Sequence, residues 1–268
     1  SNRGVKITLE KVKGLVLDMD GTIYIGSKPL PGAPEAVNKL RKKLKLVFMT
    51  NNSTMTRTQY IEKLSRMGIH ASVSEILTSG YLASKYVATE HPRANVLVVG
   101  EEGISGEALQ LGLQVIEHSQ WKLADYVIAG LDRQFTYQKA ADASQAIRNG
   151  AKFIATNLDN IYPTEEGFMP GAGSIIAMLS AATGVTPVSV GKPSVISSRM
   201  ALETLGLQAS EVVFVGDRVD TDVAAARAVG ARCILVKTGA FELFKDKTSM
   251  ADMVVDSLAE LPSLLTLE

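Results

Sequence analysis

Asp18 and Asp20 stand two residues apart in Asp18-Met19-Asp20-Gly21-Thr22, directly after the apolar run Leu15-Val16-Leu17. Side chains at such spacing project to the same side of an extended chain. Two carboxylates held that close repel each other unless a cation or a shared proton intervenes. Gly21 lets the chain turn sharply away. An acidic turn accounts for the same residues about as well, because Asp and Gly are common in turns.

Three further clusters follow apolar runs. Thr50-Asn51-Asn52-Ser53 comes after Leu46 to Met49. Hydroxyl and amide donors that feed a helix N-terminus suit an anion. Taken alone, the same four residues read better as a helix cap. Gly191-Lys192-Pro193 comes after Pro187 to Val190, and Lys192 is the first charge after a long uncharged stretch. Pro193 fits the first turn of a following helix. A lone lysine is usually a solvated surface group. Gly216-Asp217-Arg218-Val219-Asp220-Thr221-Asp222 comes after Val212 to Val215 and precedes an alanine-rich helix, Val223 to Val229. Asp220 or Thr221 could cap that helix. Asp217, directly after Gly216, is harder to explain as structure.

The elements that position these residues alternate along the chain. Apolar strands are expected at 15–17, 46–49, 96–99, 126–129, 152–155, 187–190, 212–215 and 233–236. Helical periodicity appears between Pro34 and Leu44 at positions 36, 37, 40 and 44. A second helix opens on a capping box, Thr56 to Gln59, continues through Tyr60, Ile61, Leu64 and Met67, and stops at Gly68. Fully apolar strands alternating with helices predict an α/β fold, a doubly wound parallel sheet covered on both faces. In such a sheet the strand ends lie along one edge, where ligands bind. There are more strand–helix units than one compact domain of this length needs, so a second α/β domain inserted in the first is expected.

The four clusters, in this order and each at a strand end, resemble the haloacid dehalogenase superfamily of phosphohydrolases. More narrowly they resemble its NagD/p-nitrophenyl-phosphatase branch. Ala155-Thr156-Asn157-Leu158-Asp159 and Pro170-Gly171-Ala172-Gly173-Ser174 add to the likeness, which runs from about Gly14 to the final residues. The resemblance implies a Rossmann-like core with a large inserted C2-type cap. The core would occupy residues 1–81 and 187–268, and the cap residues 82–186, roofing the site. It implies Asp18 as nucleophile, forming an aspartyl-phosphate, and Asp20 as general acid and base. It implies Mg²⁺ held by the Asp18 carboxylate, the Asp20 main-chain carbonyl and Asp217, with Asp222 supporting them from behind. Thr50, Asn51 and Lys192 would bind phosphoryl oxygens. The physics agrees, since carboxylates cannot approach a phosphate dianion unless cations cancel the repulsion. The loop 157–160 is a candidate for contacting the leaving group, a structural turn being about as good a reading. Pro170 to Ser174 lacks the lysine of a phosphate loop and reads as a helix start with a tight packing contact.

Composition excludes several classes. The 268 residues carry 28 Lys plus Arg against 28 Asp plus Glu, so the basic excess of a general nucleic-acid binder is missing. Hydrophobic content of 46% is too high for a disordered chain. One cysteine, Cys233, forbids an intrachain disulfide and reads as a small buried hydrophobe. Pro and Gly interrupt the uncharged stretch between Glu166 and Lys192, so no membrane span is expected. The start, Ser1-Asn2-Arg3-Gly4, has no initiator Met and no apolar stretch, so no signal peptide is expected there. A cytoplasmic enzyme acting on a small-molecule phosphate ester is expected, with no nucleic-acid or membrane partner and homo-oligomerisation left open. His70, His91 and His118 lie outside the clusters and are not expected to bind metal; Arg41-Lys42-Lys43 reads as a solvated helix end. Three competing readings remain. A phosphotransferase would pass the phosphoryl group to an alcohol. A receiver-like signalling domain is disfavoured by the second acid beside Asp18. A binding module that has lost catalysis is disfavoured by the intact Asp18, Asp20, Lys192 and Asp217.

Overall fold

A computed structural model describes residues 11–265, so the Ser1-Asn2-Arg3-Gly4 start lies outside the described residues. The chain divides by contacts into two units. The first comprises residues 11–50, Tyr60–Leu77 and 192–265; the second comprises Asn51–Gln59 and Thr78–Gly191. The second is thus an insertion in the first along the chain.

The first unit is built on a six-stranded sheet. Its spatial order is Met253–Val255, Arg232–Val236, Val212–Gly216, Gly14–Leu17, Lys45–Thr50 and Ile76–Thr78. Gly14–Leu17 pairs in parallel with strands on both sides, Leu15 standing opposite Val213 and Leu46. From this central strand the chain first moves one way and later returns to the other side. The switch point therefore falls between Gly14–Leu17 and Val212–Gly216, and ligands bind outside the carboxyl ends of strands at such a point. Leu15, Leu17, Phe48 and Val213 are fully buried, as a sheet covered on both faces requires. Cys233 is buried in the same sheet, in keeping with its apolar reading.

The second unit has its own five-stranded parallel sheet, ordered Val188–Ser189, Lys152–Ala155, Tyr126–Ala129, Asn95–Val99 and Gln114–Val115. One side of its core gathers Leu97, Val127, Phe153, Ile147 and Leu179, with Trp121 packed against them. An antiparallel hairpin pairs Ile161–Thr164 with Gly167–Pro170. The helix Ala172–Thr183 starts from Gly171, and the Gly173 N–H donates to the Asp159 carbonyl at 2.8 Å, so Pro170 to Ser174 is the packed helix start that the sequence suggests. The contact division ends the insertion at Thr78 and Gly191, against boundaries of 82 and 186 from sequence. No helix among the described residues is long and apolar enough to cross a membrane.

Local signals act largely as expected. The Thr56 N–H donates to Gln59 Oε1 at 2.8 Å and the Gln59 N–H to Thr56 Oγ1 at 3.2 Å, which closes the capping box. The helix Arg57–Arg66 then buries Tyr60 and Leu64, and Gly68 follows at φ +83°. Two expectations are corrected. Pro193 precedes the N-cap of the helix Val195–Leu205 instead of occupying its first turn; Ser194 takes the cap because its Oγ can accept the Ile196 N–H, at 3.1 Å. The alanine-rich helix is Ala224–Ala228, preceded by a wide π-type turn over Val219–Val223 in which the Val223 N–H reaches the Arg218 carbonyl.

Candidate active site

Asp18 leaves the end of the central strand with its N–H bonded to the Val215 carbonyl at 2.9 Å, so the neighbouring strand fixes where its side chain starts. Asp217 leaves the end of that neighbour. One ligand oxygen from each of Asp18, Asp217 and Asp222 lies within 4.8 Å of the others. Sequence separations of about 200 residues are closed here by strand pairing alone.

Lys192 is the counter-charge. Its buried ammonium donates to Asp18 Oδ1 at 3.0 Å, to Asp222 Oδ1 at 2.7 Å and to the Met49 carbonyl at 3.1 Å. Three acceptors match the three protons of an ammonium. Burial alone would push Lys192 toward neutrality, but the Asp18 and Asp222 charges outweigh it and hold the ammonium above lysine's ordinary range. The acids respond in the opposite sense. Burial, then the Asp18 charge, push Asp222 up to about 6 despite the Lys192 bond. One ammonium is shared between two carboxylates, so neither is fully compensated. Asp217 is raised well above its ordinary value, first by burial and then by the charges of Asp18 and Asp222. Its Oδ2 accepts the Ala240 N–H at 2.7 Å, while its Oδ1 is buried with no hydrogen-bond partner among the described residues.

That uncompensated oxygen is the test of whether a metal fits. Three carboxylates, an unsatisfied buried oxygen among them and no Cys or His in the group, form an oxygen-only donor set of the kind a hard divalent cation takes. Among the described residues no other group of this type forms, and the histidines take no part. His118 bonds the Val98 carbonyl at 2.7 Å.

Two glycines make the crowding possible. Gly21 sits at φ +84°, and a Cβ there would fall 2.2 Å from Asp217 Oδ2. At Gly216 a Cβ would fall 2.2 Å from the Asp222 carboxyl. Any larger residue would push a carboxylate out of the cluster.

Asp20 differs from the other acids. Its side chain reaches solvent, yet the surrounding protein removes enough water, and the Asp18 charge adds enough repulsion, to raise its carboxyl above the ordinary value. Thr50 is buried at the end of Lys45–Thr50 and shares a hydroxyl chain with Tyr60 and Tyr24. Asn51 belongs to the second unit, where its Nδ2 approaches the Asp159 carboxylate at 3.4 and 3.5 Å and its carbonyl accepts the Ser79 hydroxyl. The helix-cap reading of Thr50 to Ser53 fails, because Thr56 caps the next helix and Asn52 Oδ1 instead closes a local turn with Thr54. In the loop 157–160, Asn157 is buried and accepts the Thr156 hydroxyl at 2.8 Å.

Asp220 points away and pairs with Arg218 at 2.6 and 2.9 Å. Arg41 is not merely a solvated helix end; its guanidinium takes both Glu75 oxygens, at 2.7 and 3.0 Å. Sequence reading passed over Thr238 and Ala240. Thr238 Oγ1 donates to the Gly21 carbonyl at 2.6 Å and the Ala240 N–H holds Asp217. Both follow the apolar run ending at Val236, so the strand-end rule applied to that run would have reached them.

A buried lysine and three acids gathered beside the switch point of a parallel sheet suit the handling of a phosphoryl group, and comparisons with known proteins identify the class. The profile for haloacid dehalogenase-like hydrolases matches residues 15–114, and a HAD-hydrolase-like profile matches residues 189–261. An acid sugar phosphatase of Staphylococcus aureus (strain MRSA252) is 41% identical over 232 residues, 86% of this chain and 88% of that protein. The p-nitrophenyl phosphatase from Archaeoglobus fulgidus superposes with TM-score 0.89 at 37% identity, covering 94% of this chain and 99% of that one. The 4-nitrophenylphosphatase of Thermotoga maritima gives 0.88 at 32% identity, covering 95% and 98%. The chain belongs to the haloacid dehalogenase-like hydrolase family, in its NagD-like phosphatase branch. It is a phosphatase.

Proposed function

We propose that the protein hydrolyses small phosphorylated metabolites, with sugar phosphates the first class to try and p-nitrophenyl phosphate as a chromogenic substitute. The observation that carries this reading is the Lys192 ammonium bound to both Asp18 and Asp222 beside the unsatisfied Asp217 oxygen. A cluster of acids tolerates a phosphate dianion only with that ammonium and a further cation. The names of the relatives, acid sugar phosphatase and p-nitrophenyl phosphatase, support the substrate class.

In this reading a carboxylate oxygen of Asp18 attacks phosphorus and the bond to the leaving oxygen breaks, giving an aspartyl-phosphate. Asp20 gives its proton to the leaving oxygen. Asp20 then takes a proton from water, whose oxygen attacks phosphorus and releases Asp18 with inorganic phosphate. Lys192 holds one oxygen of Asp18, orienting the carboxylate, and with Thr50 binds phosphoryl oxygens. Asp18, Asp217 and the Asp20 carbonyl would hold Mg²⁺, with Asp222 behind them. The ion, when bound, supplies positive charge against the phosphate.

The test is a screen of phosphorylated metabolites for phosphate release, with and without Mg²⁺. Phosphate appearing in water without an added acceptor supports hydrolysis over phosphotransfer. No release from any ester in the presence of Mg²⁺ refutes the reading.

A further inference from the structure

Asp20 makes no hydrogen bond or ion pair of its own among the described residues, although its side chain would have to meet a leaving oxygen. The charges that act on it are Asp18, which repels it, and Lys63 and Lys192, which attract it. Lys192 is committed to Asp18, Asp222 and the Met49 carbonyl. Lys63 is not committed: it forms no ion pair among the described residues. Its ammonium sits 3.9 Å from the centre of the Tyr24 ring, a cation–π distance.

The seat of that ammonium and the backbone that carries Asp20 are one structure. Tyr24 is bridged to Asp20, and its carbonyl accepts the Gly21 N–H at 2.8 Å. The ring is buried. Its hydroxyl joins the chain through Tyr60 to Thr50. Tyr60, Lys63 and Leu64 occupy one face of the helix Arg57–Arg66, at the i, i+3, i+4 spacing that places side chains together. Tyr60 and Leu64 are the anchors, and Lys63 is the charged member of the face. A lysine half withdrawn from water without a bonded ion pair has a cost in stability. Burial pulls its ammonium below lysine's ordinary range, and the Asp20 charge pulls it back.

We propose that Lys63, seated on Tyr24, is a positioning residue for Asp20, fixing the side chain that serves the leaving oxygen. The inference rests on the role given to Asp20 above. It separates Lys63 from Lys192: the buried lysine serves the nucleophile, and the half-buried lysine serves the acid.

The experiment compares wild type, Lys63→Met, Lys63→Arg, Asp20→Asn and the Lys63→Met/Asp20→Asn double variant, each with Mg²⁺, on alkyl and aryl phosphate esters. Met keeps the packing of the stem on Tyr24 and removes only the charge. Misplacing a catalytic group by about 1 Å costs up to ~100-fold, so Lys63→Met should lower kcat for alkyl esters by about 10-fold or more. For p-nitrophenyl phosphate, whose leaving group needs little protonation, the rate of the first step, read as the rapid-quench burst of p-nitrophenol, should fall by under about 3-fold. KM should hold, and Lys63→Arg should recover most of the alkyl activity. In the Asp20→Asn background Lys63→Met should cost nothing further, because coupled residues are not additive. Equal losses in the first step for both ester classes, measured by single-turnover rapid quench, no loss at all, or full additivity with Asp20→Asn would overturn the role of Lys63. If Asp20→Asn itself leaves alkyl and aryl esters unaffected, the role given to Asp20 fails instead, and the proposal for Lys63 with it.

Discussion

Lys192 Nζ lies 2.7 Å from Asp222 Oδ1, and both side chains are 4% exposed. The same ammonium is 3.0 Å from Asp18, so one buried cation offsets two acids. Removing one partner of a buried pair leaves the other charge uncompensated, which costs about 3–5 kcal/mol. Lys192→Met should therefore lose stability of that order in urea unfolding at neutral pH, together with phosphatase activity. The loss should shrink in acid, where the stranded carboxylates protonate. Wild-type stability in Lys192→Met would mean that the pair contributes nothing to the fold.

Asp217 sets function against stability. Its carboxyl is raised above 3.8 in the folded chain. A raised folded value contributes stability that is fully present below the unfolded value and is lost as pH rises through the folded one. Asp217→Asn escapes that loss. In chelator at neutral pH the variant should melt higher than wild type, and the gap should close as pH falls toward 3.8. Adding Mg²⁺ should raise the melting temperature of wild type, because a ligand that binds only the folded state stabilises it, and should leave the variant unmoved. A variant that melts lower than wild type in chelator would show that Asp217 is not strained without a cation.

Asp18→Asn should fold and be inactive, since an amide is a poor nucleophile and a poorer ligand for a hard cation. Circular dichroism checks the fold and phosphate release checks the activity. Turnover near that of wild type, in protein free of wild-type contamination, would exclude Asp18 as nucleophile.

Asp20→Asn separates the two chemical steps. With p-nitrophenyl phosphate the first step needs little proton donation, while the second still needs a base. Rapid quench should show a burst of p-nitrophenol approaching one equivalent, followed by a slow steady state. Mg²⁺ affinity should hold, because in the proposed mechanism Asp20 offers the ion only its carbonyl. No burst together with weakened Mg²⁺ affinity would make Asp20 a carboxylate ligand.

Seven of the eight strands expected from apolar runs form over their core residues, because a strand buried on both faces must be apolar throughout, and such a run is visible in one dimension; of 187–190 only Val188–Ser189 is a strand, and Val188 is exposed. Ile76–Thr78, Gln114–Val115 and Met253–Val255 were missed. At two or three residues they are too short for any period to show, and pairing with a longer neighbour makes them strands. The residue types at the strand ends were legible for a related reason: Asp18, Lys192 and Asp217 each follow an apolar run, and parallel pairing brings Asp18 and Asp217 together, whereas Lys192 follows Val188–Ser189 of the other sheet and its meeting with Asp18 was not written in that pattern. What the sequence could not determine is which acid of a cluster turns inward. Asp217 and Asp222 enter the site while Asp220 pairs with Arg218 outside it, a choice made by the π-type turn and by the space that Gly216 leaves for Asp222. Nor could it place Lys63, whose partner Tyr24 lies 39 positions away and meets it only when the helix packs on the loop after the first strand. Burial patterns are written along the chain; charge neighbours belong to the packing of distant elements, and only the tertiary structure brings them within reach.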